Sequence, residues 1–324
     1  MKKICFDIGG SSIKVITFNE KNEIVSRDKL DHIGTKKYSF ASSDMDKLKQ
    51  ELPDFKIDSD LIKSIPLIKC LENINNYVEK LNEKVKIGIS IPGVVDNKKY
   101  KVLTESAICE VDVDILGFFK NQKLVDEIVI ENDGKAAAIG EMVYGQDNKL
   151  TNAIILTVGT ALGGGIIINK KVYKGSHLQA GEFSKTLANI NKHTSYISNL
   201  AVSTLSTVMV CMAYKMMSKT SEFIDGFKFF ELVEKNDPLA IQLFDNWVKS
   251  LTNFLINLNM FDPEKFLIGG GVSANKIFMD ALKKEVEKID YTVLPKIYLE
   301  SCKLTNDAAC YGMLAIIEKE YIEE

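Results

Sequence analysis

Near its start the chain places a carboxylate directly beside a glycine turn and two hydroxyl groups. An apolar strand runs into Asp7 and Ile8, Gly9-Gly10 permits a tight turn, and Ser11-Ser12 precede a second apolar run at 13–18. Free N–H groups in such a turn can face a phosphate, and a neighbouring carboxylate suits hydrated Mg²⁺, which takes few carboxylates and keeps several waters. An ordinary β-hairpin would use the same residues, so this stretch alone leaves both interpretations open.

Two later stretches repeat this plan of an apolar strand followed by a glycine-rich turn. A strand is predicted at 153–158, a turn rich in glycine and threonine at 159–165, and another strand at 166–168. A further strand at 266–268 runs into the glycine-rich turn 269–273. Two of the three turns could hold phosphates and one could lie flat against a purine, because glycine lets the backbone approach a ligand closely.

A second carboxylate with chemical potential is Asp133, which lies between a strand at 128–130 and a helix predicted at 135–144 and closed by Gly145. A carboxylate at a strand-to-helix junction can orient a bound hydroxyl or accept its proton. Asn132 or Asp133 is also a natural helix N-cap, and for Asp133 alone that is the simpler interpretation.

Other motifs carry less information. The pattern Gly269-x-Gly271-x-x-Ala274 nominally fits a dinucleotide-binding fingerprint, but it lies late in the chain with no fitting strand behind it. His32 and His193 are expected at the surface, and His177 is a weak candidate for ligand contact.

Composition excludes several classes of protein. The chain has 324 residues, enough for about two domains, with 46% hydrophobic and 26% charged residues. Its 41 basic and 44 acidic residues give a net charge of −3, which provides no general attraction to nucleic acid or to a membrane surface. The six cysteines form no Cys-x-x-Cys pair and fit small buried residues in a reducing compartment. We find no signal peptide or membrane span, so a cytoplasmic protein is expected.

Hydrophobic periodicity predicts the remaining elements. Strands alternating with helices indicate an α/β protein, and the hairpins require antiparallel pairs within its sheets. The polar stretch 28–66 is expected to be a surface excursion. The other predicted elements are a helix at 67–82, a strand at 85–91, helices at 200–217, from Asp237-Pro238 and at 275–289, a strand at 297–299, and a final helix capped by Asn306 and reaching Ile317.

Taken together, six ordered motifs resemble those of the ROK family, a group of repressors, open reading frames and kinases within the actin-like, hexokinase-like ATPase superfamily. The motifs span nearly the whole chain: Asp7–Lys14, Ile89–Asp96, Glu131–Ala138, Leu156–Gly165, Ala180–Phe183 and Gly269–Ser273. The resemblance implies a two-domain actin-like (ribonuclease H-like) α/β fold with mixed sheets and an interdomain cleft for ATP and a sugar. The expected division is 1–130 with 306–324 in a smaller domain and 131–305 in a larger one.

The resemblance also implies a role for each matching residue. Asp133 would be the catalytic base, Asp7 would help to hold Mg²⁺ through water, and Gly93, Asn132 and Glu182 would contact the sugar. The nucleotide would be bound by Gly9, Gly10, Ser11, Lys14, Thr157, Gly159, Thr160, Gly270, Gly271 and Val272. The implied reaction is an in-line phosphoryl transfer from ATP, helped by positioning and charge neutralisation.

The chain departs from the family pattern in the segment from the Gly181-Glu182 turn to residue 200, which the resemblance implies is a sugar-contacting loop and which we call the sugar loop. Zinc-containing members follow the Gly-Glu turn with a histidine and a cysteine cluster, whereas Lys185 stands at that histidine position and 186–200 contain no cysteine. We therefore expect no zinc site, with the loop braced by Phe183, Leu187 and the helix from Leu200. The second sugar-contacting glutamate is replaced, with Asn199 as the candidate.

These departures bear on the substrate. The expected acceptor is the 6-hydroxyl of a hexose or N-acetylhexosamine, with N-acetylmannosamine favoured and glucose or a β-glucoside as the alternative. The alternative class is a sugar-responsive regulator, which is disfavoured because no helix-turn-helix segment precedes the first hairpin and Asp133 is retained. The expected partners are a small sugar and a second copy of the chain in a homodimer, without nucleic acid or membrane.

Overall fold

The computed structural model describes residues 1–37, 63–106, 108–146, 148–188 and 199–322. Within these ranges the strands form two five-stranded mixed sheets with the same plan. In each sheet, three consecutive strands form an antiparallel meander, and two later strands add in parallel beside the first strand of that meander.

The first sheet has the strand order β3-β2-β1-β6-β9, and the second has the order β12-β11-β10-β13-β14. The strands of the first sheet are β1 Lys2–Ile8, β2 Ser12–Phe18, β3 Ile24–Asp31, β6 Val85–Ile91 and β9 Val125–Asn132. Those of the second are β10 Ala153–Val158, β11 Leu162–Ile168, β12 Lys171–Val172, β13 Lys265–Gly269 and β14 Leu299–Ser301. Two short ladders pair β4 Lys36–Lys37 with β5 Lys63–Ser64 and β7 Val95–Asp96 with β8 Lys101–Val102.

The spacing of apolar residues and the capping residues explain where the helices form. The apolar residues of the helix at 67–81 fall on one buried face, and the helix at 238–258 begins with Pro238 behind an N-cap, Asp237, whose carboxylate accepts the Ala240 N–H at 2.8 Å. The α-helices are α1 Leu67–Leu81, α2 Ile115–Phe118, α3 Asp133–Gly140, α4 Ala201–Leu205, α5 Thr207–Ser218, α6 Gly226–Glu234, α7 Pro238–Leu258, α8 Lys276–Val286 and α9 Ala308–Ile317. A π-helical turn, Glu141–Gly145, extends α3, and 3₁₀ turns lie at Phe183–Lys185, Asn259–Phe261, Gly271–Ala274 and Thr305–Asp307.

Helices α3 and α9 lie between the two sheets. Ala136 and Ala137 of α3 pack with α9 and with side chains of β1 and β2, whereas Ala138 and Ile139 pack with the second sheet. Helix α1 covers the other face of the first sheet, and α5 to α8 cover the other face of the second. In the described ranges, no helix has both the length and the apolar character that crossing a bilayer requires.

Glycines permit the backbones of α3 and α9 to approach very closely. A Cβ on Gly312 of α9 would lie 1.8 Å from the Ala136 carbonyl oxygen, and one on Gly140 of α3 would lie 2.1 Å from the Ala308 carbonyl oxygen. The other side of α3 is equally close to β11, where a Cβ on Gly134 would lie 2.4 Å from the Gly164 amide nitrogen. The N-terminus of α3 is therefore fixed by backbone contacts on both sides.

Most predicted elements are confirmed, and the differences have physical reasons. The helix predicted at 200–217 breaks at Ser206, whose extended backbone lets its hydroxyl cap α5. Gly163-Gly164-Gly165 lie in strand β11 and not in a turn, because α3 packs directly on them. The strand predicted at 297–299 is shifted to 299–301.

The other differences lie at element ends. The prediction that Asn306 caps the last helix is wrong, since a 3₁₀ turn occupies 305–307 and α9 starts at Ala308. The expected excursion at 28–66 is wrong for 28–31, which belong to β3, and 38–62 lie outside the described residues. Five of the six cysteines are buried, as expected, and Cys109 is partly buried.

We expect Gly312→Ala to destabilise the protein by more than about 2 kcal/mol, because the added Cβ would meet the carbonyl of Ala136 and force the two helices apart. At an ordinary helical position the same change stabilises by roughly 1 kcal/mol. Urea denaturation measures the effect, with Gly271→Ala as the control because its Cβ would meet nothing within 4 Å. Equal stability of the two variants would show that the helices do not need this close crossing.

Candidate functional site

The parallel pairing of β1 with β6 brings Asp7 and Ser90 together near the end of β1, where the first hairpin turns. Asp7 lies beside Ser90 in the parallel register of β1 and β6, and the Ser90 hydroxyl donates to Asp7 Oδ1 at 2.6 Å. Burial raises the pKa of the Asp7 carboxyl and Asp307 adds to the rise, whereas the Ser90 hydrogen bond and the Lys14 ammonium lower it. The Asp7 side chain remains 21% exposed. A single, partly exposed carboxylate is the donor set that a largely hydrated Mg²⁺ needs.

Lys14 links this hairpin to the start of α9. Its ammonium lies 4.0 Å from Asp7 Oδ2 and 3.9 Å from Asp307 Oδ1, and it donates to the Asn306 carbonyl. Arg27 of β3 reaches the other oxygen of Asp307 at 3.1 Å. Lys14 therefore already balances two carboxylates within the protein.

The turn itself has a short internal hydrogen bond, from the Gly9 N–H to the Ser12 carbonyl at 3.0 Å. His32 is not a bare surface residue, since its Nε2 lies 2.7 Å from the Gly9 carbonyl oxygen. Sequence reasoning missed this contact because β3 itself was not predicted.

The turn of the second hairpin is tighter by one residue and also has an internal hydrogen bond. The Gly159 N–H donates to the Ala161 carbonyl at 3.0 Å, and the Gly159 carbonyl accepts from the Thr207 N–H at 2.8 Å. Thr157 precedes the turn and pairs with Gly163 across the ladder. The N-terminus of α5 is thereby joined to the turn that the sequence singles out for phosphate binding.

The third turn packs against the end of the second hairpin's first strand. Gly270 has φ of +82°, and a Cβ there would lie 2.4 Å from the Val158 carbonyl oxygen. Only glycine meets both demands without strain.

The three turns converge on one cavity of about 870 Å³. Its predicted members are Ser11, Gly159, Thr160, Gly271 and Val272. It continues past Thr207 and Val208 to an aromatic and acidic region formed by Phe223, Phe227, Phe230, Asp225, Glu231 and Glu234. Sequence reasoning assigned none of this region, because α5 was interpreted only as part of an apolar helix and α6 was not predicted.

Asp133 lies at the start of α3, and Asn132 is the N-cap. Asn132 Oδ1 accepts the Lys135 N–H at 2.9 Å, and Asp133 Oδ1 accepts from Asn132 Nδ2 at 2.9 Å and from the Gly134 N–H at 2.8 Å. Burial raises the pKa of Asp133 to about 6, with Asp7 and Glu182 raising it further and Gly134 and Lys135 opposing the rise. A carboxylate with a pKa near neutrality is suited to exchange a proton.

Asn132 also holds the Gly93 loop in place. Its Nδ2 donates to the Gly93 carbonyl at 2.8 Å. Gly93 has φ of +103°, and a Cβ there would lie 2.7 Å from the Thr104 carbonyl oxygen. Gly93, Asn132 and Asp133 therefore form one connected group.

Glu182 reaches the same region from the loop before the 3₁₀ turn Phe183–Lys185. Its Oε1 lies 3.1 Å from Nζ of Lys135, a lysine that is 2% exposed. Asn199 is 6% exposed, and its carbonyl accepts from Ala188 N–H at 2.9 Å, which places it on the strand-like segment beside that loop. The sequence analysis did not predict that Lys135 would pair with Glu182. A lysine in the first turn of an alanine-rich helix was a possible signal.

The sugar loop is braced only partly as predicted. Phe183 is buried against Phe254, whereas the Leu187 side chain is 42% exposed and its expected packing role is wrong. The additional braces are backbone bonds from Ala201 N–H to Thr186 O at 2.7 Å and the Ser184 hydroxyl to Leu162 O at 2.6 Å. Among the residues that the structure describes, no group of three or more histidine, cysteine or acidic side chains could hold a metal ion.

Comparison with protein families matches the ROK family model to residues 3–320. A β-glucoside kinase of Listeria monocytogenes is 25% identical over 319 residues, covering 96% of each chain. The curated relatives include xylose repressors as well as sugar kinases.

Solved structures with the same fold extend over almost the whole chain. A Listeria monocytogenes protein, Lmo2764, provisionally described as an N-acetylmannosamine kinase, superposes with a TM-score of 0.81 at 22% identity, covering 99% of this chain and all of that one. A Streptomyces griseus ROK glucokinase in complex with glucose and AMPPNP gives 0.73 at 23% identity, covering 98% and 99%. The likeness confirms the expected actin-like fold with mixed sheets. By its motifs, its fold and the match over residues 3–320, the chain belongs to the ROK family.

Proposed function

We propose that this protein is an ATP- and Mg²⁺-dependent sugar kinase. The observation that carries the proposal is Asp133, a carboxylate held at a helix N-terminus whose pKa is raised by burial and by Asp7. Asp7 precedes the first of the three glycine turns that contribute residues to the cavity. A ROK regulator would also bind a sugar, but it has no need of a base of raised pKa in addition to a nucleotide-sized cavity. The family resemblance also supports a homodimer, a cytoplasmic location and the domain division at 130/131 and 305/306, which we include in the proposal.

The nucleotide is assigned to the 870 Å³ cavity. Its phosphates would lie against the N–H groups near Ser11, Gly159 and Thr160, and its adenosine against Gly270 to Val272. The aromatic side chains Phe223 and Phe227 at the far end suit a base, because a purine stacks on aromatic rings. Lys14 and Asp7 would serve the phosphate side together with Gly9, Gly10 and Thr157.

Magnesium, when bound beside Asp7, would neutralise charge on the transferring phosphate. The chain itself orients and deprotonates the acceptor. The hydrogen bonds from Asn132 Nδ2 and the Gly134 N–H both go to Oδ1 of Asp133, so we assign Oδ2 to the substrate hydroxyl. As the new O–P bond forms and the bond to the ADP oxygen breaks, the hydroxyl proton passes to Asp133.

The sugar is assigned to the space between Gly93, Asn132 and Glu182. Asn132 already donates to Gly93 and Asp133, so it contributes mainly by fixing both. Glu182 would accept hydrogen bonds from ring hydroxyls, with Asn199 near the C1/C2 end of the sugar. A primary 6-hydroxyl is the least hindered nucleophile on a pyranose, and one carboxylate can direct it at the γ-phosphate.

We expect Asp133→Asn to lower kcat by about 10²- to 10⁴-fold and to leave sugar affinity within a few-fold, because asparagine keeps the Gly134 hydrogen bond but cannot accept the proton. In the wild type, kcat/KM should fall as the pH is lowered through about 6, where Asp133 becomes protonated. A coupled ADP-release assay across pH measures both effects. Asp126→Asn, at an exposed position of β9, the strand that leads into Asp133, is the control. A variant retaining more than about half of the wild-type kcat would remove Asp133 from this role.

The same substitution should stabilise the ligand-free fold at alkaline pH. The folded-state pKa is raised, so the folded protein holds the Asp133 proton more tightly than the unfolded chain does, and stability falls as pH rises from about 4 through about 6. The neutral side chain of asparagine resembles the protonated carboxyl of Asp133. Thermal unfolding of Asp133→Asn should therefore show a gain in Tm at pH 8 that is roughly halved at pH 5. A gain that does not depend on pH would contradict the raised pKa.

We propose N-acetylmannosamine as the first substrate candidate, with glucose or a β-glucoside second. The missing histidine and glutamate leave room for a larger C2 substituent, although a substituent at C1 would use the same space. The expected result of competition kinetics over hexoses, N-acetylhexosamines and β-glucosides is the highest kcat/KM for N-acetylmannosamine. A higher value for glucose or a β-glucoside would reject this candidate and keep the kinase. A panel without any turnover would favour the regulator.

A further inference from the structure

Two ion pairs join the segment 131–135, which carries Asp133, to the segment 174–182, which carries Glu182. In one pair the segment 131–135 supplies the carboxylate, and in the other it supplies the ammonium. Lys174 Nζ donates to Glu131 Oε2 at 2.6 Å, and Lys135 Nζ donates to Glu182 Oε1 at 3.1 Å. The exposed fractions of these side chains are 0% for Glu131, 10% for Lys174, 2% for Lys135 and 18% for Glu182. All four charges are thus largely removed from water.

The two pairs connect different parts of the molecule. Glu131 belongs to β9 at the edge of the first sheet, and Lys135 lies in the first turn of α3. Lys174 follows β12 of the second sheet, and Glu182 precedes the 3₁₀ turn at 183–185. Each ion pair therefore spans from the segment that carries Asp133 to the segment that carries Glu182.

Buried charges specify an arrangement more strongly than they stabilise it. A buried pair gains little over apolar residues of the same shape, but separating its partners leaves an uncompensated charge at a large cost. Glu131 is fixed further, because its Oε1 accepts the Asn132 N–H at 2.8 Å and Asn97 Nδ2 lies 3.5 Å from its Oε2. The backbone of Asn132 is thereby held from the same carboxylate that holds Lys174.

We propose that Glu131–Lys174 and Lys135–Glu182 act as a double clamp that sets the position of Asp133 relative to Glu182. The inference rests on the proposed kinase function for its meaning in catalysis. Lys135, Lys174 and Glu131 are positioning residues, acting through Asp133, Asn132 and Glu182. A displacement of about 1 Å between reacting groups can cost on the order of 10²-fold in rate, so a clamp of this kind affects turnover without touching the substrate.

The Lys174 pair gives the sharpest test, because both partners lie outside the proposed substrate contacts. Lys174→Met removes the Lys174 ammonium from the fully buried Glu131 carboxylate, and should lower both Tm and kcat/KM. The double variant Glu131→Gln/Lys174→Met removes both charges, so its Tm should recover. If the clamp positions Asp133, kcat/KM of the double variant stays at least about 10-fold below wild type. Recovery of kcat/KM together with Tm would show a purely structural pair and overturn the clamp.

A substitution at Lys135 gives a second, independent test through the pH dependence of kcat/KM. The charged groups that act on Asp133 are Asp7 from β1, Glu182 from the sugar loop and Lys135 from its own helix, and Lys135 opposes the rise in pKa. In Lys135→Met, the acid limb of kcat/KM should therefore move to higher pH, whereas in Lys174→Met it should stay in place. Lys265→Met, which removes a half-exposed pair with Glu300 at the far end of the second sheet, is the control for both.

Hydrogen exchange separates failure of the clamp from failure of the kinase assignment. In Lys174→Met, amides of 173–182 should exchange faster while those of β13 keep the wild-type rate. Unchanged exchange at 173–182 would overturn the clamp whatever the protein catalyses. Absence of phosphoryl transfer by the wild type to any sugar would overturn the proposed function, and accelerated exchange would then still support the clamp as the link between the two segments.

Discussion

Helix α3 is held by backbone contacts on both of its sides, and the position of Asp133 follows from them. Gly134 lies against Gly164 of β11, and Ala136 lies against Gly312 of α9, at distances that leave no space for a Cβ. Side chains can change rotamer, but backbone-to-backbone contacts can shift only if whole elements move. The helix start is therefore a fixed reference point for every group around it, including the Gly93 loop that Asn132 holds.

The electrostatics of the site oppose the stability of the fold. Burial, Asp7 and Glu182 raise the pKa of Asp133, and the Gly134 N–H and the Lys135 ammonium offset only part of that rise. A fully compensated Asp133 would have an ordinary pKa and would be a weak base. The incomplete compensation is what raises its pKa to about 6, which suits a general base at neutral pH. The fixed backbone of α3 keeps Asp133 in this environment, although ionisation of its carboxyl is unfavourable there.

The sequence indicated those parts of the structure that depend on neighbouring residues. Both hairpins, the strand at 85–91 and the Asp237 cap follow from alternation, glycine turns and capping, all of which act over a few positions. Interactions between distant segments were not predictable. No spacing relates Glu131 to Lys174, and the pairing depends on how the segment after β12 lies relative to β9 in three dimensions. The glycines at 163–165 illustrate the same limit, because they suggest a turn until the helix that packs on them is known.

The loop that carries Glu182, the residue proposed to contact the sugar, is held in place by packing and by hydrogen bonds. Phe183 anchors it in the core behind the second sheet, Ser184 fastens it to β11, Thr186 pairs with Ala201, and Lys135 holds Glu182 from α3. These contacts distribute the constraint over α7, β11, α4 and α3. Because one of those elements is the helix that carries Asp133, the groups proposed for the acceptor sugar and for its proton share a single rigid support.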